Sequence, residues 1–402
     1  MKVLQLGKFY PVRGGVEKVM WDLTRGLCAR GVECRMLCAY NEELSDEDMA
    51  DDRLILVKAW MKAAATMIAP GMIWKLRRIA GDYDIIHVHH PDPMAALALR
   101  LSGYRGKVVL HWHSDILKQR GLLRLYLPLQ NWLVRRADLI VGTTPVYVAE
   151  SPFLQGVQDK VTFLPIGVEG VGFAGIAGQA RNDGEGEQIA GQARNDEGAR
   201  NDESARNDDD RHAGPDPASA EKKIVFSLGR LVGYKGYRYL VEAAKYLPEE
   251  YEIVIGGRGP LHDELQAMAD EVNAMEGCAS VRLIGFVSDE ALPGWFHRCK
   301  LFVLSSIWRT EAFAIVQVEA MSCGKPVVAT KIPGSGVSWV NEDGYSGINV
   351  PVEDARALAD AILKICSDDE VYAGFCGRAR RRYEDCFTYD RMIGGCLKLY
   401  ER

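Results

Sequence analysis

The 402-residue chain predicts an α/β protein built from two doubly wound domains in tandem, and three observations carry that expectation. Short apolar runs of strand length alternate with glycine-bearing loops and amphipathic helical stretches. The alternation occurs twice, and the two series are separated by a segment of quite different composition. The first series opens on VLQLG (3–7), followed by KFYPVRGG, a helix from VEKV and a second strand in ECRMLCAY. That is the βαβ order of a parallel sheet. DIIHVHH (84–90), KVVLHWHS (107–114), ADLIVGTT (137–144) and VTFLPIGV (161–168) continue it. The second series starts at KKIVFSLGR (222–230), with a helix near 237–247, YEIVIGG (251–257) and a helix from Leu261. VRLIGFV (281–287), KLFVLSS (300–306), a helix placed from about Phe313 and the strand PVVAT (326–330) follow.

Between the series, residues 174–221 carry GQARND twice and ARND twice more, with almost no aliphatic bulk and no aromatic residue. Such a segment cannot offset the entropy of ordering itself, so it is expected to be a disordered linker insertion. The expected division is therefore a first domain over 1–173, the linker over 174–221, and a second domain over 222–378. Composition is that of a globular protein, 48% apolar and 26% charged. The net charge of -6 gives no general attraction to nucleic acid. Ten cysteines without a CxxC pair argue against a zinc ribbon and suit a reducing compartment. With no leader-like segment and no spanning run in the sequence, the expected location is the cytoplasm.

Candidate site residues cluster at strand ends. Gly14 and Gly15 sit between the first strand and its helix, where paired glycines let a loop approach a ligand, although a plain tight turn explains them equally. His87, His89, His90, His111 and His113 lie at the ends of two strands, and in an open parallel sheet those ends face the ligand crevice. Metal binding is the rival reading, with Asp92 and Asp115 nearby, but no established zinc spacing is present, and none is assigned. His113, followed by Ser114 and Asp115, is the candidate for hydrogen bonding to substrate. In SLGRLVGYKG (227–236), Arg230 and Lys235 leave one strand end together and suit a diphosphate. Glu311 and Glu319 flank FAIVQV. Two acids beside a cationic loop suit a nucleotide sugar, whose vicinal hydroxyls donate to carboxylates. A capping Glu311 and a Glu319 paired with an arginine are the plainer alternative. Basic amphipathic stretches at 71–80 and 116–137 fit either an anionic membrane face or packed helices with a charged solvent side.

FYPVRGGVEKV, HWHSD, GRLVGYKG and above all EAFAIVQVEAMSCGKPVVAT together resemble the retaining glycosyltransferase family 4, over nearly the whole chain except 174–221. The resemblance implies the GT-B fold, two Rossmann-like domains facing each other across a cleft, the first binding acceptor and the second the nucleotide sugar. It implies that residues 379–402 form a C-terminal helix returning toward the first domain. It places Arg230 and Lys235 on the donor diphosphate, Glu311 on donor-sugar hydroxyls, Glu319 on the ribose, His113 near the donor sugar, and Gly15 in the loop closing over the site. Ala312, Phe313 and Ala314 fall in the same donor-binding segment, and relatives commonly carry glycine where this chain has Ala314. Transfer of a hexose with retention follows, without a bound metal or other cofactor. The regions HWHSD and SWVNEDGYSG look most like transferases of bacterial surface polysaccharide, with GDP-mannose the lead donor over UDP-glucose or UDP-N-acetylglucosamine. The implied acceptor is a saccharide or lipid-linked saccharide, met at the inner face of the cytoplasmic membrane. A nucleotide-sugar 2-epimerase of the same plan and a non-catalytic nucleotide-sugar-binding protein are the alternatives.

Overall fold

The computed structural model describes residues 1–12, 14–63, 66–116, 120–170 and 222–402; the expected linker, 174–221, lies outside them. The chain forms two compact units. One comprises Met1–Gly167 and Tyr389–Arg402; the other comprises, among the described residues, 168–170 and 222–388.

In the first unit, β1 (Lys2–Phe9), β2 (Glu33–Tyr40), β3 (Leu54–Lys58), β6 (Ile85–His90), β7 (Lys107–Trp112), β8 (Leu139–Gly142) and β9 (Val161–Phe163) form one sheet. Its order is β3-β2-β1-β6-β7-β8-β9, with parallel neighbours throughout. A separate antiparallel hairpin joins β4 (Met61–Ala63) and β5 (Thr66–Ile68). Parallel strands covered on both faces should read as continuous apolar runs, and every residue of β6 is buried. The helix Pro93–Ser102 starts where it does because the Asp92 carboxylate accepts from the amides of Met94 and Ala95 and proline occupies the first turn.

In the second unit, β10 (Lys223–Leu228), β11 (Tyr251–Gly256), β12 (Ser280–Leu283), β13 (Leu301–Leu304), β14 (Val327–Thr330) and β15 (Gly347–Val350) form a parallel sheet ordered β12-β11-β10-β13-β14-β15. Its core includes Val225, Ile253, Leu301, Val328, Leu358 and Ile362, all buried.

Three expectations need adjustment. The helix placed from Phe313 begins at Ile315, because Ala314 adopts a left-handed backbone and closes the preceding loop. The strands β3, β4, β5 and β15 were not among those expected. The junctions expected at 173 and 379 lie at 167/168 and 388/389. Helix Asp369–Cys386 runs unbroken through 379, and within the second unit the Val168 amide donates to the Phe387 carbonyl at 2.9 Å. The final helix, Tyr389–Tyr400, packs within the first unit, where the Tyr389 hydroxyl donates to the Asp22 carbonyl at 2.9 Å.

The two basic stretches are helices with one packed face. Gly71–Ile79 buries Met72 and Leu76, and Arg120–Arg136 buries Leu133 and Val134. Each also leaves an apolar side chain in solvent, Trp74 at 66% and Leu125 at 80% exposure.

Candidate active site

An open parallel sheet binds ligands beyond the carboxyl ends of its strands, where strand order reverses. In the second unit that reversal lies between β10 and β13, which pair directly. The loop after β10 carries Arg230 and Lys235; the loop after β13 carries Glu311. Folding brings these two loops together across 76 residues of sequence: Lys235 Nζ lies 2.6 Å from Glu311 Oε2. Both side chains are only 11% exposed.

The pair is held from several sides. The Ser306 hydroxyl donates to the same Oε2 at 2.9 Å, and the Ser335 hydroxyl donates to the Glu311 carbonyl. The Glu311 amide donates to the Trp308 carbonyl at 2.9 Å, and the Ser305 hydroxyl to the Lys235 carbonyl at 2.9 Å. Burial alone would push the Lys235 ammonium toward neutrality. The Glu311 carboxylate, helped by Tyr234 and Tyr237, more than reverses this and raises its pKa above the usual lysine range. Lysine and glutamate therefore form a fixed ion pair. Arg230 is half-buried, and its guanidinium makes no ion pair or hydrogen bond among the described residues. Glu311 Oε1 likewise makes no hydrogen bond among them.

The expected role of Lys235 and that of Glu311 were separate, one for phosphate and one for sugar. Their direct pairing was not foreseen, nor were the supporting hydroxyls of Ser305, Ser306 and Ser335. The adjacent serines closing KLFVLSS were the signal available for two of these. Glu319 is buried on the helix Ile315–Ser322. Ala312 and Ala314 are buried, and the Phe313 ring packs edge-on against Phe387 with centroids 6.0 Å apart. What this segment can offer a ligand is chiefly backbone. Ala314, with φ 60° and ψ 80°, sits in a region that its methyl group disfavours.

In the first unit the reversal lies between β1 and β6. Gly14 caps the helix that Gly15 begins, in the loop leaving β1. The histidines expected on one face do share it. His87, His89, His111 and His113 form a near-parallel stack, with centroids 4.1 to 5.4 Å apart. His90 projects oppositely and stacks on Trp112 at 3.8 Å. Burial pushes His87, His89, His90 and His113 well below the usual imidazole range and His111 down to about 3, so all five are neutral at pH 7.

Nitrogens of His89, His111 and His113 lie within 4.8 Å of one another, as three metal ligands would. Their ring planes, however, are 11° to 26° apart, so in-plane lone pairs run side by side instead of converging on a tetrahedral centre. His89 and His113 are hydrogen-bonded to each other at 3.0 Å. Both His111 nitrogens, by contrast, are buried without a hydrogen-bond partner among the described residues.

The site thus stands on two Rossmann-like units, the second with an anchored cation and carboxylate at its ligand-facing edge. Residues 13–169 match the family described as Glycosyltransferase Family 4, and residues 208–382 match Glycosyl transferases group 1. The chain is 29% identical over 403 residues to the O-antigen chain mannosyltransferase C of Escherichia coli, covering 100% of this chain and 98% of that one. It is 26% identical to the D-rhamnosyltransferase WbpZ of Pseudomonas aeruginosa, over 96% of this chain and 92% of that one. The crystal structure of Anabaena Alr3699/HepE in complex with UDP superposes with a TM-score of 0.73 at 18% identity, covering 100% of both chains. The chain belongs to the family 4 glycosyltransferases and has the GT-B fold. It is a glycosyltransferase.

Proposed function

We propose that the protein transfers a hexose with retention, foremost mannose from GDP-mannose, to a saccharide or lipid-linked saccharide acceptor in cell-surface polysaccharide synthesis. The observation that carries the reaction is the buried Lys235–Glu311 pair on the loops after β10 and β13, with the half-buried Arg230, unpaired among the described residues, on the first of those loops. The full-length likeness to a mannosyltransferase supports the choice of sugar.

In this reading Arg230 and Lys235 hold the donor diphosphate and stabilise the charge that develops on it as the glycosidic bond breaks. Glu311 does two things. Its Oε2 fixes the ammonium, while Oε1 accepts from a hydroxyl of the donor sugar. Glu319 accepts from the ribose hydroxyls. Ala312, Phe313 and Ala314 contribute backbone, and the first-turn amides of helix Ile315–Ser322 add donors for phosphate oxygen. Gly15, the first residue of the helix after β1, contributes backbone to donor binding, and His113 hydrogen-bonds near the sugar. The acceptor hydroxyl attacks from the side on which the diphosphate leaves, so retention needs no enzyme nucleophile and no bound metal.

Calorimetry with GDP, UDP and ADP tests the donor site. Tight binding of GDP is expected, weakened tenfold or more by Arg230→Ala and by Glu319→Ala. Failure of all three nucleotides to bind would sink the reading, and preference for UDP would replace the donor.

Among the described residues no helix is long and apolar enough to cross a membrane. The lipid-linked acceptor is instead reached through peripheral contact by 71–80 and 116–137, at the inner face of the cytoplasmic membrane. Trp74 and Leu125 are exposed beside exposed Lys75, Arg77, Arg78 and Arg124, a mixture that suits an anionic surface. Co-sedimentation with anionic vesicles should weaken on Trp74→Ser combined with Arg77→Glu and Arg78→Glu; equal binding to neutral vesicles would argue against this contact.

A further inference from the structure

His113 is tied into a chain of buried polar groups. His113 Nε2 lies 3.0 Å from His89 Nδ1, and His89 Nε2 lies 2.7 Å from Gln5 Oε1. Gln5 Nε2 donates to the Tyr400 hydroxyl at 3.1 Å and more weakly to Cys34 Sγ at 3.8 Å. The Tyr400 oxygen lies 2.6 Å from His87 Nδ1. Gln5, on β1, and His89, on β6, are wholly buried at the first unit's own strand-order reversal, and Tyr400 comes from the final helix of the same unit.

A chain of this kind has only two self-consistent polarities, because each ring must donate at one nitrogen and accept at the other. Gln5 chooses between them. Its oxygen faces His89, so His89 Nε2 carries the proton and His89 Nδ1 accepts. His113 must then donate from Nε2, and the Tyr400 hydroxyl, accepting from Gln5, passes its own proton to His87. A flipped glutamine would reverse every bond. Burial keeps all the rings neutral, the condition for each to donate and accept at once.

We propose that Gln5, His89 and Tyr400 are positioning residues that lock His113 in the Nε2–H tautomer and leave its Nδ1 as a bare acceptor for a donor-sugar hydroxyl. Nδ1 makes no hydrogen bond among the described residues. The sugar as its partner rests on the transferase reading above; the tautomer does not.

The full-length protein labelled with ¹⁵N-histidine, His113 being assigned by its loss in His113→Ala, gives the tautomer directly from long-range ¹H–¹⁵N correlations. The expected result is a protonated Nε2 and a pyridine-type Nδ1. Gln5→Met should abolish that single tautomer and lower kcat about tenfold or more, with nucleotide affinity unchanged. Gln5→Glu keeps an oxygen facing His89 and should restore both tautomer and turnover. A wild-type His113 protonated at Nδ1, or a tautomer indifferent to Gln5→Met, would overturn the proposal. Absence of transfer from every sugar nucleotide would overturn the function reading alone, since the tautomer is measured without turnover.

Discussion

Replacing Lys235 with methionine is expected to lower transfer by about 10²-fold or more and to destabilise the second unit by about 3–5 kcal/mol. Two separate physical effects lie behind the two readouts. For activity, in the proposed reaction the ammonium is a preorganised charge for the leaving diphosphate, and its removal leaves Arg230 alone to meet that charge. For stability, the substitution leaves the Glu311 carboxylate at 11% exposure with, among the described residues, only Ser306 to satisfy Oε2. An uncompensated buried charge is costly, whereas removing both charges is tolerated. The double variant Lys235→Met/Glu311→Gln should therefore regain most of the lost stability and none of the lost turnover. Denaturant unfolding and kcat/KM, measured on wild type, both single variants and the double, form a complete cycle. Near-normal turnover in Lys235→Met would remove the lysine from the reaction. A double variant no more stable than the single would mean that the pair is not the tightly coupled unit described.

The pair also shows where sequence reasoning ran out. Arg230, Lys235, Glu311 and Glu319 were each legible as candidates, because strand-end loops bearing charge in an α/β chain are informative. That Lys235 would touch Glu311 was not legible, since which loops meet depends on strand order, and here β10 lies beside β13 and not beside β14. The same holds for the imidazole chain. Period-two alternation put His87 and His89 on one face and His111 and His113 on one face, but Gln5 and Tyr400 join them from 84 and 313 residues away. The unit boundary at 388 was missed for a local reason. Helix Asp369–Cys386 carries no breaker at 379, and the chain leaves the second unit only after Phe387 and Thr388 are paired beside Val168. Alanine at 314 gives by itself no sign of a left-handed conformation, and the glycine that relatives commonly carry there was the one signal available.

That last point yields a pair of opposite results at two loops of the proposed donor site. Gly236→Ala is expected to cost about 3 kcal/mol or more, and Ala314→Gly to gain about 0.5–1 kcal/mol. Both positions have positive φ, 65° at Gly236 and 60° at Ala314. At Gly236 an added Cβ would collide with the Ser305 carbonyl oxygen and sit 2.9 Å from Ile307 Cγ2. Neither neighbour moves freely, because the Ser305 hydroxyl and the Ile307 amide are bonded to the carbonyls of Lys235 and Tyr234 in the same turn. The loop must shift as a whole and take Lys235 with it, so nucleotide affinity should fall alongside stability. At Ala314 the methyl group is already present and the conformation already disfavoured, by about 1–2 kcal/mol for an L-residue. Glycine removes that penalty and returns part of the gain as extra freedom in the unfolded chain, which leaves the smaller net figure. Unfolding midpoints for both variants, with nucleotide titrations, decide the matter. A loss of stability on Ala314→Gly would show that the methyl group's packing outweighs its backbone strain, and a neutral Gly236→Ala would show that the Lys235 turn is softer than its hydrogen bonds imply.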